Sequence, residues 1–252
     1  MKVKFSEKYI PNKEDILSFI KNFDSNGKVL GKQSRNTIKL FKIDGSTLNI
    51  KSFKIPNLIN QVVYRFFRKS KAERSYEHAQ LLLKNNIGTP KPIAYIENPK
   101  TLLFKRSFYV CEHLEADLTY RELVRDANYP DRKNILEKFA KFTFKLHENG
   151  ILFKDHSPGN TLIKKNGEDY DFFLVDLNRM EFKKLSFEER IKNFSRLTPH
   201  QEMVAIMSKG YADVSKWEYE AIFSLMWHET ETFQGRYHRK QKAKKQIFFW
   251  RN

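Results

Sequence analysis

The order of elements between residues 131 and 178 constrains this chain more than any other feature. Ile135, Phe139, Phe142 and Leu146 recur at spacings of four, three and four. That is a helical period, and it predicts a helix from about Asp131 to Asn149 that Gly150 stops. Ile151-Leu152-Phe153 follows as a short apolar stretch, then a polar loop bent by Pro158-Gly159. Thr161-Leu162-Ile163, an Asn166-Gly167 turn and Phe172-Phe173-Leu174-Val175 form a hairpin whose last strand ends on Asp176.

Before this stretch the chain reads as β-rich. Lys28–Leu30 and Thr37–Ile43 read as strands, Asp44-Gly45 as a hairpin turn, and Leu48–Phe53 as the returning strand. Ser70 is placed to cap a helix with an apolar stripe of Ala72, Tyr76, Ala79, Leu82 and Leu83, ending near Asn85-Asn86. Strands are expected at Pro92–Ile96 and Leu102–Cys111, and mainly helix after the hairpin. The fold class is therefore α+β: a small antiparallel sheet lobe carrying one helix, then a larger, mainly helical lobe. The 252 residues suffice for one such two-lobed domain. The first lobe spans approximately residues 1–111 and the second approximately 112–252.

Asp155 and Asn160 stand five residues apart on the bent loop, and Asp176 lies sixteen residues after Asn160. Singly, such residues serve turns. Together, after this helix, they match the needs of phosphoryl transfer. Asp155 orients an attacking hydroxyl and accepts its proton, while Asn160 and Asp176 supply hard oxygens to magnesium. His156, beside Asp155, is open between touching substrate and stabilising the loop. His147 sits near a helix C-terminus, where the dipole favours a cation, and is read as structural. No His-x-x-x-His pair or Gly-x-Ser-x-Gly elbow points to a hydrolase.

At these residues the chain resembles the protein-kinase superfamily. Phe153-Lys154-Asp155 stands where kinases carry His-Arg-Asp, and Val175-Asp176-Leu177-Asn178-Arg179 matches their metal-binding Asp strand. More narrowly it resembles the lipopolysaccharide kinase (Kdo/WaaP) family. That likeness rests on Phe67–Glu77, Gly88-Thr89-Pro90-Lys91-Pro92, Leu146-His147-Glu148-Asn149-Gly150, the Asp155–Asn160 loop and Asp176-Leu177-Asn178-Arg179. The resemblance implies a kinase-like fold and ATP with Mg²⁺ as cofactors. Lys51 (or Lys54) would hold phosphate, with Glu77 (or Glu73) as its helix partner. Gly31 and Ser34 would lie in a glycine-poor phosphate loop, and Glu112 completes the nucleotide-binding set. The acceptor it implies is a Kdo or heptose hydroxyl of the lipid A inner core.

Charge narrows the surroundings. Lys and Arg number 47 against 30 Asp and Glu, a net +17 that favours polyanionic partners. From Arg236 to Arg251 the chain is basic without an acid, and Phe248, Phe249 and Trp250 stand near its end. Such a segment suits an anionic membrane surface. The single Cys111 excludes an internal disulfide and reads as a buried thiol. Residues 1–7 lack the apolar core of a signal peptide. A cytoplasmic protein is expected, peripheral at most on the inner membrane. Two alternatives remain: a kinase-like enzyme with a soluble sugar, antibiotic or protein acceptor, and a non-enzymatic nucleic-acid-binding or scaffold protein. No RNA-recognition or zinc-finger pattern supports the second.

Overall fold

The computed structural model describes residues 2–31, 36–55, 69–97 and 106–249, without the side chains of Lys245 and 247–249. These residues form two compact units, one made of 1–115 with 175–179, the other of 116–174 with 180–252.

The first unit is built on six antiparallel strands: β1 (Lys2–Phe5), β2 (Lys28–Leu30), β3 (Asn36–Ile43), β4 (Ser46–Phe53), β5 (Pro92–Glu97) and β6 (Ser107–Glu112), ordered β1-β5-β6-β4-β3-β2. The predicted Asp44-Gly45 turn joins β3 to β4. Ile43 pairs with Ser46, and both turn residues have positive φ, 46° and 74°. That conformation matches the strands' own right-handed twist, and Gly45 adopts it without steric cost. Residues 98–105, and with them the start of the expected strand at Leu102, lie outside the described residues.

Alternation assigns the faces. Leu48, Ile50, Ala94, Ile96, Phe108 and Val110 are buried together with Ile16 of α1 (Lys13–Lys21). Neither β1 nor α1 stood out in the sequence, because charged residues interrupt both. Lys39 lies on this same face, opposite Ile50. Its amine donates to the carbonyls of Phe23 (2.6 Å), Asn26 (2.9 Å) and Asp24 (3.1 Å), capping the chain just past α1.

Tyr95, Tyr109 and Lys51 pair across β5, β6 and β4, which puts them on the opposite face. There α2 (Lys71–Lys84) packs, with Tyr76 edge-on to Tyr95 at 5.5 Å between ring centres. Ser70 caps α2 as expected, its hydroxyl accepting from the Glu73 N–H at 3.1 Å. Ala72, Tyr76, Ala79 and Leu82 are buried. Leu83, expected on the same stripe, is exposed, because the stripe runs three residues from Ala79 to Leu82 and turns away. Cys111 is buried, and burial pushes its thiol up to about 12.

The second unit packs α3 (Tyr120–Arg125), α4 (Arg132–Glu148), α5 (Phe187–Lys192), α6 (Gln201–Ala212) and α7 (Tyr219–Phe249) around one apolar core. Beside them lie two small sheets. One contains β7 (Leu118–Thr119), β9 (Thr161–Asn166) and β10 (Asp169–Leu174); the other pairs β8 (Ile151–Phe153) with β11 (Met180–Phe182). α4 is the predicted helix, and Gly150 ends it at φ +66°. α6 crosses α4 so closely that a Cβ on Gly210 would stand 2.6 Å from the Glu137 carbonyl oxygen. No described helix is long and apolar enough to cross a membrane.

Two histidines lie in this core. His147 was placed by its sequence position near a negative helix end, but it is buried, and burial holds it down at about 4. The Asn193 Oδ1 at 3.2 Å makes its Nε2 the donor, so Nδ1 accepts the Tyr211 hydroxyl at 3.0 Å. His156 is fully buried among Phe139, Phe153 and Phe194, which pushes it down to about 3. Its ring nitrogens have no hydrogen-bond partner among the described residues. His156 is therefore a packing residue of the loop.

Both imidazoles stay neutral in the folded protein at pH values where the unfolded chain, near 6.5, takes up protons. Stability is thus complete above that value and is lost as pH falls below it, by about 2 kcal/mol per histidine at pH 5. Urea denaturation at pH 7.5 and 5 should show this loss, and His156→Phe should remove about half of it.

Candidate active site

In the first unit the decisive contact is between Lys51 and Asp176. Lys51 sits at the centre of β4 with only 12% of its side chain exposed, and its amine lies 2.6 Å from Asp176 Oδ1. The same oxygen accepts the Asn178 amide at 2.7 Å. Neither donor uses Oδ2. Asp176 has φ +60°, a conformation that favours glycine and is tolerated best by Asp and Asn.

That backbone is held from α2. Arg74 Nη1 donates to the Asn178 carbonyl at 2.8 Å, and His78 Nδ1 donates to the Leu177 carbonyl at 2.7 Å. Arg74 and His78 are one helical turn apart and so share a face. Burial lowers the His78 pKa against the opposing effect of that hydrogen bond.

The two glutamates expected as partners for Lys51 are engaged elsewhere. Glu77 pairs with Lys69 at 2.6 Å. Glu73 pairs with Lys2 at 2.6 Å and accepts the Tyr95 hydroxyl at 3.3 Å. Lys54 lies beyond the end of β4 and is exposed, its N–H 3.4 Å from Asn36 Oδ1. Glu112 accepts from Tyr9 at 2.8 Å and Lys8 at 3.2 Å. Burial would raise its pKa, but these donors outweigh burial and hold the carboxyl below the ordinary range. Gly31 follows β2 at φ +73°, and no atom of the described residues lies within 4 Å of where its Cβ would stand; Ser34 lies outside the described residues.

In the second unit Asp155 and Asn160 share the loop after β8. The Asn160 amide nitrogen donates to the Asp155 carbonyl at 2.8 Å, which leaves the carboxamide oxygen turned away from that bond. Two neighbouring carbonyls are tied as well. Phe153 accepts Asn193 Nδ2 at 2.8 Å, and Lys154 accepts Arg196 Nη1 at 2.8 Å. Arg196 also reaches Asp155 Oδ1 at 3.1 Å. Gly159 leaves room for Arg121, whose guanidinium would clash with a Cβ there. The structure thus brings Lys51 to Asp176 and Asp155 to Asn160. Arg74, His78, Asn193 and Arg196 were not anticipated. Arg74 and His78 each directly follow one of the two glutamates on α2, and a one-turn pair on that helix was the signal available; Asn193 and Arg196 carry no spacing signal.

The fit to magnesium rests on donor chemistry. A carboxylate oxygen unused by Lys51 and a carboxamide oxygen with its nitrogen already committed are hard donors of the kind the ion takes beside phosphate and water. Among the described residues no group of three or more His, Cys, Asp or Glu side chains is arranged to hold a metal.

Comparison with known proteins places the fold and the family. The structure "WaaP in complex with acyl carrier protein" superimposes with a TM-score of 0.63 at 15% identity, covering 92% of this chain and 99% of that one. "Crystal structure of the Rio2 kinase-ADP/Mg2+-phosphoaspartate complex from Chaetomium thermophilum" gives 0.49 at 16% identity, covering 91% and 71%. No curated protein matches the chain in sequence. The fold is protein-kinase-like, and the protein is a phosphotransferase of the kinase class. The profile of the Lipopolysaccharide kinase (Kdo/WaaP) family matches residues 54–221, and the chain belongs to that family.

Removing the α2 donors should loosen the segment that carries Asp176. Arg74→Met and His78→Ala are each expected to cost about 1–3 kcal/mol. Amide exchange at 175–179 should accelerate before β4 is affected. Unchanged exchange there would show that α2 does not hold this segment.

Proposed function

We propose that this lipopolysaccharide kinase transfers the γ-phosphate of ATP, with Mg²⁺, to a Kdo or heptose hydroxyl of the lipid A inner core. The observation that carries the reading is the Lys51–Asp176 pair, a strand lysine and a left-handed aspartate 2.6 Å apart. A lysine so placed holds the α- and β-phosphates, and the aspartate is the metal-binding group of a kinase. Asn160 is the second metal-binding residue, through its carboxamide oxygen. Asp176 and Asn160 would hold magnesium, which when bound would supply positive charge to offset the negative charge developing on the transferring phosphate. Lys51 exchanges its bond with Asp176 for phosphate oxygens as nucleotide binds. Asp155 orients the acceptor hydroxyl and takes its proton.

The acceptor class agrees with the charge. Arg236, Arg239, Lys240, Lys242 and Lys244 are all exposed on α7, within a chain of net +17. Each basic group close to an anionic bilayer contributes about 1 kcal/mol to attraction. A phosphorylated amphiphile at such a surface is a substrate this segment would meet, whereas a soluble neutral acceptor gives it no role.

The test is transfer of label from γ-labelled ATP, with Mg²⁺, to Kdo-bearing lipid A, beside a soluble sugar, an aminoglycoside and a protein acceptor. Label should appear in the lipid. Asp155→Ala should lower kcat by about 10²–10⁴-fold, and Asp176→Ala should abolish transfer. Near-normal turnover in either variant would sink the assigned chemistry, and label in another acceptor alone would redirect the substrate.

A further inference from the structure

We propose that Arg196 is a positioning residue for Asp155, and that Phe233 of α7 holds the guanidinium in place. The inference rests on reading Asp155 as the group that receives the acceptor's proton.

Three successive carbonyls of the catalytic loop, those of Phe153, Lys154 and Asp155, each accept a side-chain donor: Asn193, Arg196 and Asn160 respectively. Arg196 differs from the other two. Its Nη1 bridges the Lys154 carbonyl at 2.8 Å and Asp155 Oδ1 at 3.1 Å. One nitrogen thereby fixes the carboxylate relative to the backbone that carries it. A carboxylate on a polar loop otherwise samples several side-chain orientations. Asp155 is 17% exposed and Arg196 37%, so the pair is less screened than a surface bridge.

The guanidinium is itself held. It lies over the Phe233 ring, 5.7 Å from the centroid. Its Nε is buried and has no hydrogen-bond partner among the described residues. A guanidinium serving only as a structural tie would be expected to use that donor too. Stacking on Phe233 instead sets the plane of the fork and aims Nη1 at the loop. Because Phe233 belongs to the helix whose later turns carry the exposed basic residues, α7 takes part in supporting the catalytic loop.

The experiment uses the full chain and steady-state transfer from γ-labelled ATP to Kdo-bearing lipid A. Arg196→Met should lower kcat about 10- to 100-fold while KM for ATP stays within about twofold, as expected for misplacement of one reacting group. Arg196→Lys should retain more activity than Arg196→Met, and added ethylguanidinium should partly restore Arg196→Ala. Phe233→Leu should fall between wild type and Arg196→Met. Denaturation midpoints of all variants separate these effects from unfolding. Wild-type kcat in Arg196→Met, or a loss that follows only the denaturation midpoint and resists ethylguanidinium, would overturn the proposal. Asp155→Ala run alongside separates the two readings. If it is active, the role of Asp155 is wrong; if it is inactive while Arg196→Met is normal, only the role of Arg196 is wrong.

Discussion

The first unit depends on a charge that cannot stand alone. An ammonium group on the central strand of a sheet, largely withdrawn from water, requires an anion close by. Asp176 supplies it, although the chain before residue 175 and after residue 179 belongs to the other unit. Once that carboxylate is fixed, the chain around it must also be fixed. Arg74, His78 and Asn178 do this by taking up the backbone carbonyls and the second valence of the same carboxylate oxygen. The main work of α2, beyond its packing face, is therefore to hold residues 177 and 178. Its glutamates point to Lys2 and Lys69.

The second unit solves a different problem. A loop that must present Asp155 cannot use its carbonyls in a regular ladder, so side chains satisfy them one by one. The aromatic cage around His156 anchors the loop from inside, and the Tyr211–His147–Asn193 chain fixes the donor that reaches Phe153. His147 Nε2–H and the Asn193 oxygen fix one another, and that orientation leaves Asn193 Nδ2 to the Phe153 carbonyl, which also accepts the His156 N–H.

Local features were legible in the sequence because their causes are local. Asp44-Gly45, the Ser70 cap, the period of α4 and the Gly150 stop depend on residues within a few positions. The spacing of Asp155, Asn160 and Asp176 was legible for the same reason, as each group sits where a loop or strand ends. What escaped notice depends on long-range pairing. Glu77 and Glu73 stood on the right helix, but only the tertiary arrangement decides that Lys51 meets Asp176. Arg196 lies 41 residues from Asp155 with no pattern to mark it. The strand β1 was hidden because its alternation lasts only four residues, and it owes its place to pairing with β5.

The discontinuous make-up of the first unit has a consequence for its birth on the ribosome. Lys51 is made 125 residues before Asp176, which at about 5–20 residues per second is roughly 6 to 25 s of synthesis. Throughout that interval the sheet exists without the carboxylate that its central lysine requires. Until residues 175–179 arrive, the nascent N-terminal half holds Lys51 without its native anion on the face where α2 packs. Native closure of the first unit is therefore timed by translation of the second, and a pause between the two prolongs the exposure of that face to chaperones and proteases.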